Sequence, residues 1–254
     1  MPERGAYCFE QPLSERIRTL LRLEHLLTRL RYHERDDSLW GRRATMTALI
    51  DILTIMARHD LRTEISKALG SSYARLNRQA QQTESAQIRD RLDHLDDLGR
   101  TLQRIPPHFA SYQLRDNDLL NSLNNRHAIP GGTCAFDVPS FQHWLRRDNA
   151  DIQRDIDHWC RHIVPFEQAT NTLLQILRDS VEPQQHEARG GVLVHQSEKG
   201  TQLIRVLVDD ATVYPEISAG RHRATVRFME FHDADLSVRQ CRSNIPLQLA
   251  CCRL

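Results

Sequence analysis

The hydrophobic period of this chain changes once, and that change constrains the fold more than any other feature of the sequence. In the N-terminal part, apolar residues recur at spacings of three and four. Beyond "SVEPQQHEARGG" they come in short runs separated by Gly, Pro, Asp and Ser. The first spacing lines one face of a helix, and the short runs are the signature of strands and hairpins. The expected class is therefore α+β: a mainly α-helical domain over residues 1–186, then an antiparallel β domain over 187–254.

The helical stripes can be followed one by one. Leu13, Ile17, Leu20, Leu21, Leu27 and Leu30 make the first, with Ser14 placed to cap it after Pro12. Met46, Leu49, Ile50, Leu53 and Met56 make the second, and Leu61, Ile65, Ala68 and Leu69 follow the candidate cap Asp60. Ile88, Leu92, Leu95 and Leu102 make another, and Leu119, Leu120 and Leu123 a shorter one after Asp116. The run from Ile152 to Leu177 contains Pro165, which a helix accepts in its first turn and not in its interior, so two helices should meet near Val164. Pro139 can open a helix capped by Asp137.

In the β part, "GVLVHQ", "TQLIRVLVDD", "HRATVRFMEF" and "IPLQLACC" read as strands. One of them is anomalous. In "RHRATVRF" a strand puts Arg221, Arg223, Thr225 and Arg227 on one face and His222, Ala224, Val226 and Phe228 on the other. The second set suits a core. The first carries like charges at alternate positions, which repel unless something negative meets them. Two readings stand open: cross-strand acids such as Asp209 and Asp210, or an acidic partner. The first helix carries a second basic stripe, Arg18, Arg22, His25 and Arg29, either a solvated face paired with Glu15 and Glu24 or a binding face.

Overall charge decides little here, with Lys+Arg 34 against Asp+Glu 33. A nucleic-acid-binding protein using these arginines on phosphates is the alternative function, and this balance counts against it. The positive charge is almost all arginine, since only Lys67 and Lys199 are lysines, and arginine suits bidentate contacts to carboxylates. No apolar run approaches the roughly 18 residues of a membrane span, and the N-terminus lacks the apolar core of a secretory signal, so a cytoplasmic protein is expected. The six cysteines, Cys251 and Cys252 adjacent among them, read as free thiols. Enzyme signatures are weak: Cys134 after "PGGT" has no marked base, and "HWCRH" spaces His158 and His162 as metal ligands without the metalloprotease glutamate. No catalytic residue, cofactor or metal is expected.

Four blocks in order, "FEQPLSERIRTLLRLEHLL", "IPGGTCAFDVPSFQHWL", "YPEISAGRHRATVRFM" and "LACC", resemble the ZapD family of bacterial cell-division proteins. The resemblance implies a cytoplasmic, non-enzymatic homodimer that binds the C-terminal tail of FtsZ and crosslinks its protofilaments to support the Z-ring at midcell. Dimerisation would fall to the helical domain. The tail is a peptide with acidic and apolar residues, and the family pattern carries basic residues where this chain has Arg221, Arg223 and Arg227. Arg115 in "LRDNDLL" and Arg18 and Arg22 on the first helix match further family arginines. The stretches from Trp40 to Gln103 and around "HDADLSVRQCRSN" depart from that pattern, so no contact is carried over there.

Overall fold

The computed structural model describes residues 7–58, 60–81, 86–220, 222–231 and 237–253. The chain divides into two compact units, residues 20–173 and residues 1–19 with 174–254. The class is α+β, with helices followed by antiparallel sheets.

Nine helices are seen among the described residues: α1 (Glu15–His33), α2 (Leu39–Arg58), α3 (Leu61–Ala80), α4 (Ala86–Gln103), α5 (Phe109–Asp116), α6 (Asp118–Arg126), α7 (Pro139–Trp144), α8 (Asn149–Cys160) and α9 (Val164–Arg178). The apolar stripes become the core: Leu20, Leu23, Leu27 and Leu30 of α1, Met46, Leu49, Ile50 and Leu53 of α2, and Leu92, Leu95, Leu98 and Leu102 of α4 are buried. Asp60 caps α3 as expected, its side chain accepting from the Thr63 backbone N–H at 3.2 Å. Pro165 stands in the first turn of α9, and α8 and α9 meet as its position required.

One local expectation is corrected, and one short helix was not announced by the sequence. The expected stripe after Asp116 is α6, capped by Asn117, which accepts from the Leu120 N–H at 2.9 Å; Asp116 itself ends the unannounced α5. Asp137 does not cap α7, which follows Val138 and opens directly on Pro139. The Asp137 carboxylate instead accepts from Cys134 Sγ at 3.4 Å.

Arg31 of α1 ties the helical unit together through charge. Its Nε donates to Glu167 Oε1 of α9 at 3.1 Å and its Nη2 to Oε2 at 2.6 Å, while Nη1 reaches Glu34 at 2.7 Å. The two carboxylates hold the guanidinium pKa above its ordinary value, Glu167 most strongly, against the opposing effect of burial.

α3 and α4 carry glycines in their interiors, where a Cβ on Gly70 or Gly99 would meet no atom within 4 Å. Glycine there costs backbone entropy and no contact demands it, so Gly70→Ala and Gly99→Ala should each raise stability by about 1 kcal/mol. Thermal melts check this; a lowered midpoint would mean that the added methyl meets an obstruction.

The other unit is built on β1 (Tyr7–Pro12), β2 (Gln184–Ala188), β3 (Val192–Gln196), β4 (Leu203–Val208), β5 (Val213–Ala219), β6 (Arg223–Phe231), β7 (Val238–Gln240) and β8 (Ile245–Cys252). They form two antiparallel sheets, one ordered β1-β4-β8-β2 and one ordered β3-β6-β5, with β7 also on β6. Ile204, Val206, Val208, Ile245, Leu247 and Leu249 from the first sheet share one core with Val213, Ala224, Val226 and Phe228 from the second. β1 comes from the far end of the chain, and the two compact units divide at 19/20 and 173/174. Glu10 anchors that strand, accepting from Arg178 Nε and Nη2 at 2.8 and 2.7 Å and lying 3.1 Å from Arg205 Nε. Among the described residues no helix is long and apolar enough to cross a membrane.

Candidate functional site

β6 is the central strand of its sheet, paired with β3 on one side and β5 on the other. Its alternation is the one read from the sequence: Ala224, Val226 and Phe228 are wholly buried, and Arg223 and Arg227 are exposed on the opposite face with Thr225 between them. Burial of the apolar set leaves the arginines no choice of side, because a strand repeats every two residues. His222 departs from the expectation. It stands just before the strand begins and is exposed, its carbonyl accepting from the Ser197 N–H at 3.1 Å. Arg221 lies outside the described residues.

Arg223 and Arg227 stand four positions apart on one strand face, about 13 Å between Cα atoms at strand spacing. Neither side chain makes a hydrogen bond or ion pair with a described residue. Asp210, one of the acids expected to quench them, is occupied by Thr212, accepting from its N–H at 2.8 Å and its Oγ1 at 2.6 Å; these two donors hold its pKa below the usual carboxylate value. Glu216 of β5 is the residue across from Arg227 in register, yet the two are not in ion-pair contact.

The same face continues into an apolar surface that charge reasoning missed. Met229 and Phe231 are the next two outward positions of β6; Tyr214 of β5 pairs with Met229, and Val238 of β7 pairs with Phe231. The Tyr214 and Phe231 rings lie 5.4 Å apart at 36°, and Phe231 and Val238 are about half exposed, 55% and 47%. On the other side, Val194 of β3 is 50% exposed and pairs with Thr225, between the two arginines. One sheet face thus offers two guanidiniums with no partner among the described residues, bordered by apolar and aromatic side chains. That chemistry fits a peptide carrying carboxylates and apolar residues. Continuing the two-residue period past Arg227 would have found Met229 and Phe231; Tyr214 and Val238 join only through pairing.

The remaining candidates are placed differently. Arg18 on α1 pairs with Glu15 at 2.6 Å, and Arg22 is exposed one turn further along. Farther along the same stripe, Arg29 pairs with Asp51, which also meets His127 Nε2 at 2.7 Å. Arg115 in α5 is engaged by Asp116 at 2.7 Å and stacks 4.9 Å from the Tyr112 ring centroid. Its pKa is raised by Asp116, by hydrogen bond first and charge second.

For catalysis the geometry offers little. Cys134 bonds Asp137 rather than a histidine, and burial beside Glu34 pushes the Cys160 thiol up to about 12, far from a thiolate at neutral pH. His158 lies in the last turn of α8, which ends at Cys160, and His162 lies beyond that end, so the two are not carried on one regular helix. Burial first, then Arg161 and His158, lower the His162 pKa. A cavity of about 400 Å³ lined by Tyr112, Asp116, His158, Trp159 and His162 presents no serine, threonine, cysteine or lysine nucleophile among the described residues. No group of three side chains of metal-binding type occurs among them.

Comparison with known proteins gives a consistent result. The family model for ZapD, described as a cell division protein, matches residues 21–227. Cell division protein ZapD of Methylococcus capsulatus is 33% identical over 253 residues, covering 97% of this chain and 98% of the relative. The ZapD of Cupriavidus necator is 34% identical over 253 residues, covering 96% and 98%, and that of Coxiella burnetii 30% identical over 256 residues, covering 97% of each. With a family match over most of its length and relatives that align from end to end, the chain belongs to the ZapD family of cell division proteins.

Proposed function

We propose that this chain is a non-enzymatic division factor of the cytoplasm that works at midcell, binds the C-terminal tail of FtsZ, and as a homodimer crosslinks FtsZ filaments in support of the Z-ring. The observation that carries the reading is the outer face of β6, where Arg223 and Arg227 have no partner among the described residues and stand beside Met229, Phe231 and Tyr214. Carboxylates of the tail take charge-assisted hydrogen bonds from the arginines, and its apolar residues cover the aromatic end of the face. Arg221, two residues before Arg223 in the chain, belongs to the same proposal. Arg18, Arg22 and Arg115 are separate candidate contacts for the same tail.

A single such site is weak, and valency makes it effective. A polymer of FtsZ displays many tails, so a protein with two sites captures the second at high effective concentration. Because the contacts are exposed charges, affinity should fall steeply with ionic strength, as the Debye length shrinks from about 10 Å at 0.1 M to about 3 Å at 1 M. The test is anisotropy of a fluorescein-labelled FtsZ C-terminal peptide over that salt range, alongside sedimentation of the protein. Salt-sensitive binding by a dimer is the expected result. Binding indifferent to salt would remove the arginine face, and a monomer at working concentrations would remove crosslinking.

A further inference from the structure

The two edges of the sheet that carries the arginines are not equivalent. Hydrogen-bonded pairs in an antiparallel ladder alternate, and the parity here is set by bonds at both ends of each pairing. Between β3 and β6, Phe228 N–H donates to Gly191 O at 2.8 Å and Ser197 N–H to His222 O at 3.1 Å. The odd-numbered residues of β3 therefore bond β6, and the N–H and C=O of Val194 and Gln196 point away from it. No described strand pairs with that side of β3 at Val194 or Gln196. On the opposite edge, Gly220 N–H donates to Arg223 O at 2.9 Å, so the odd-numbered residues of β5 face outward. One of these is Pro215, which has no N–H to offer. The β5 edge is blunted at its centre, and the β3 edge is closed at Val192 by its bridge to Arg189 but open among the described residues at Val194 and Gln196.

We propose that the acidic, apolar peptide of the preceding reading binds as an added strand on the open edge of β3, its backbone pairing with Val194 and Gln196 and its outward side chains lying over the arginine face. The register supplies a sequence rule. Val192 stands beside Arg227, Val194 beside Thr225 and Gln196 beside Arg223, all as close, non-hydrogen-bonded pairs. An added strand stands one sheet spacing of about 4.8 Å beyond β3, or about 10 Å from β6, within reach of the Arg223 side chain leaning across Gln196. Val192 is not available to it, because its outward N–H already donates to Arg189 O at 3.2 Å. An acid opposite Gln196 with an apolar residue opposite the exposed Val194 satisfies the two open positions, so the preferred pattern is apolar, any, acid. Main-chain pairing supplies affinity and the alternate side chains supply selectivity.

This inference rests on the tail-binding reading, and the two fail separately. The experiment measures the labelled FtsZ tail peptide by anisotropy against wild type, Val194→Pro, Val194→Thr and Arg223→Ala with Arg227→Ala. Val194→Pro deletes only the outward-facing N–H and leaves the ladder to β6 intact, so it should weaken the peptide about tenfold, the loss of one well-made hydrogen bond. Val194→Thr should bind nearly as wild type. The arginine variant losing binding while Val194→Pro keeps it would overturn strand addition and leave the tail reading standing; no loss in either would overturn both.

Should Val194→Pro fold poorly, tail peptides N-methylated at alternate amides answer the same question on the wild-type protein. Strand addition requires that one set of amides tolerates methylation and the other does not, and equal tolerance of both sets overturns it. If sedimentation instead shows Val194→Pro to be a monomer where the wild type is a dimer, the occupant of the edge is a second copy, and the peptide proposal fails.

Discussion

Replacing Arg223 and Arg227 together by alanine is expected to weaken binding of the FtsZ tail about a hundredfold and to abolish bundling. Hydrogen bonds between ionised partners contribute about 1.5–3 kcal/mol each, and solvent at this exposed face takes the lower end, so two of them amount to about 3 kcal/mol. Such a loss is about a hundredfold in affinity. Stability should hardly change, because neither side chain bonds a described residue and the strand's backbone ladder is untouched. Removing two like charges from one face relieves repulsion if it does anything. Lysine at both positions should fall between wild type and alanine, since it keeps the charge and loses the planar fork that fits a carboxylate. Anisotropy with the tail peptide and pelleting of FtsZ polymers provide the readouts. Wild-type affinity in the alanine variant would mean that the tail docks elsewhere.

The second large effect concerns stability. Arg31→Ala leaves Glu34 and Glu167 facing each other without the guanidinium that separates them, at side-chain exposures of 13% and 19%. Breaking a fully buried ion pair costs about 3–5 kcal/mol, and the residual solvent contact of this cluster reduces that to about 2–3 kcal/mol. Denaturant midpoints should drop accordingly, with the slope unchanged. The diagnostic is a compensated variant, Arg31→Met with Glu34→Gln and Glu167→Gln, which removes all the charge and should recover most of the loss. Failure to recover would show that Arg31 acts through packing of its methylene stem and not through the carboxylates.

What could be read in the sequence was what repeats locally. The α+β class followed from a change of period, and the buried and exposed faces of β6 from alternation within one strand. Elements defined by distant partners were invisible: β1 reads as an unremarkable N-terminal segment until β4 pairs with it, Tyr7 opposite Val208. β5 was obscured by Pro215, which argues against a central strand and is tolerated here because β5 is an edge. α5 is short and begins after His108, whose φ of 58° is a backbone setting that no local pattern announces. At the site, the arginines were legible because they share one strand, whereas Tyr214 and Val238 enter only through pairing. The ion cluster of Arg31 was hidden for the same reason, its main partner being 136 residues away.

Pro215 also limits what the sheet can become. A ladder grows indefinitely only if each added unit offers a new edge equivalent to the one it has covered, which is how cross-β fibres propagate. Here the two edges differ. An open β3 edge of one copy that approaches the β5 edge of another meets a missing donor at the middle of the strand, so head-to-tail stacking of these sheets is interrupted at its first step. On the proposed reading the protein gathers on a filament lattice, and the high local density there is the condition that most favours runaway strand pairing. One imino acid makes the β5 side the end of the sheet.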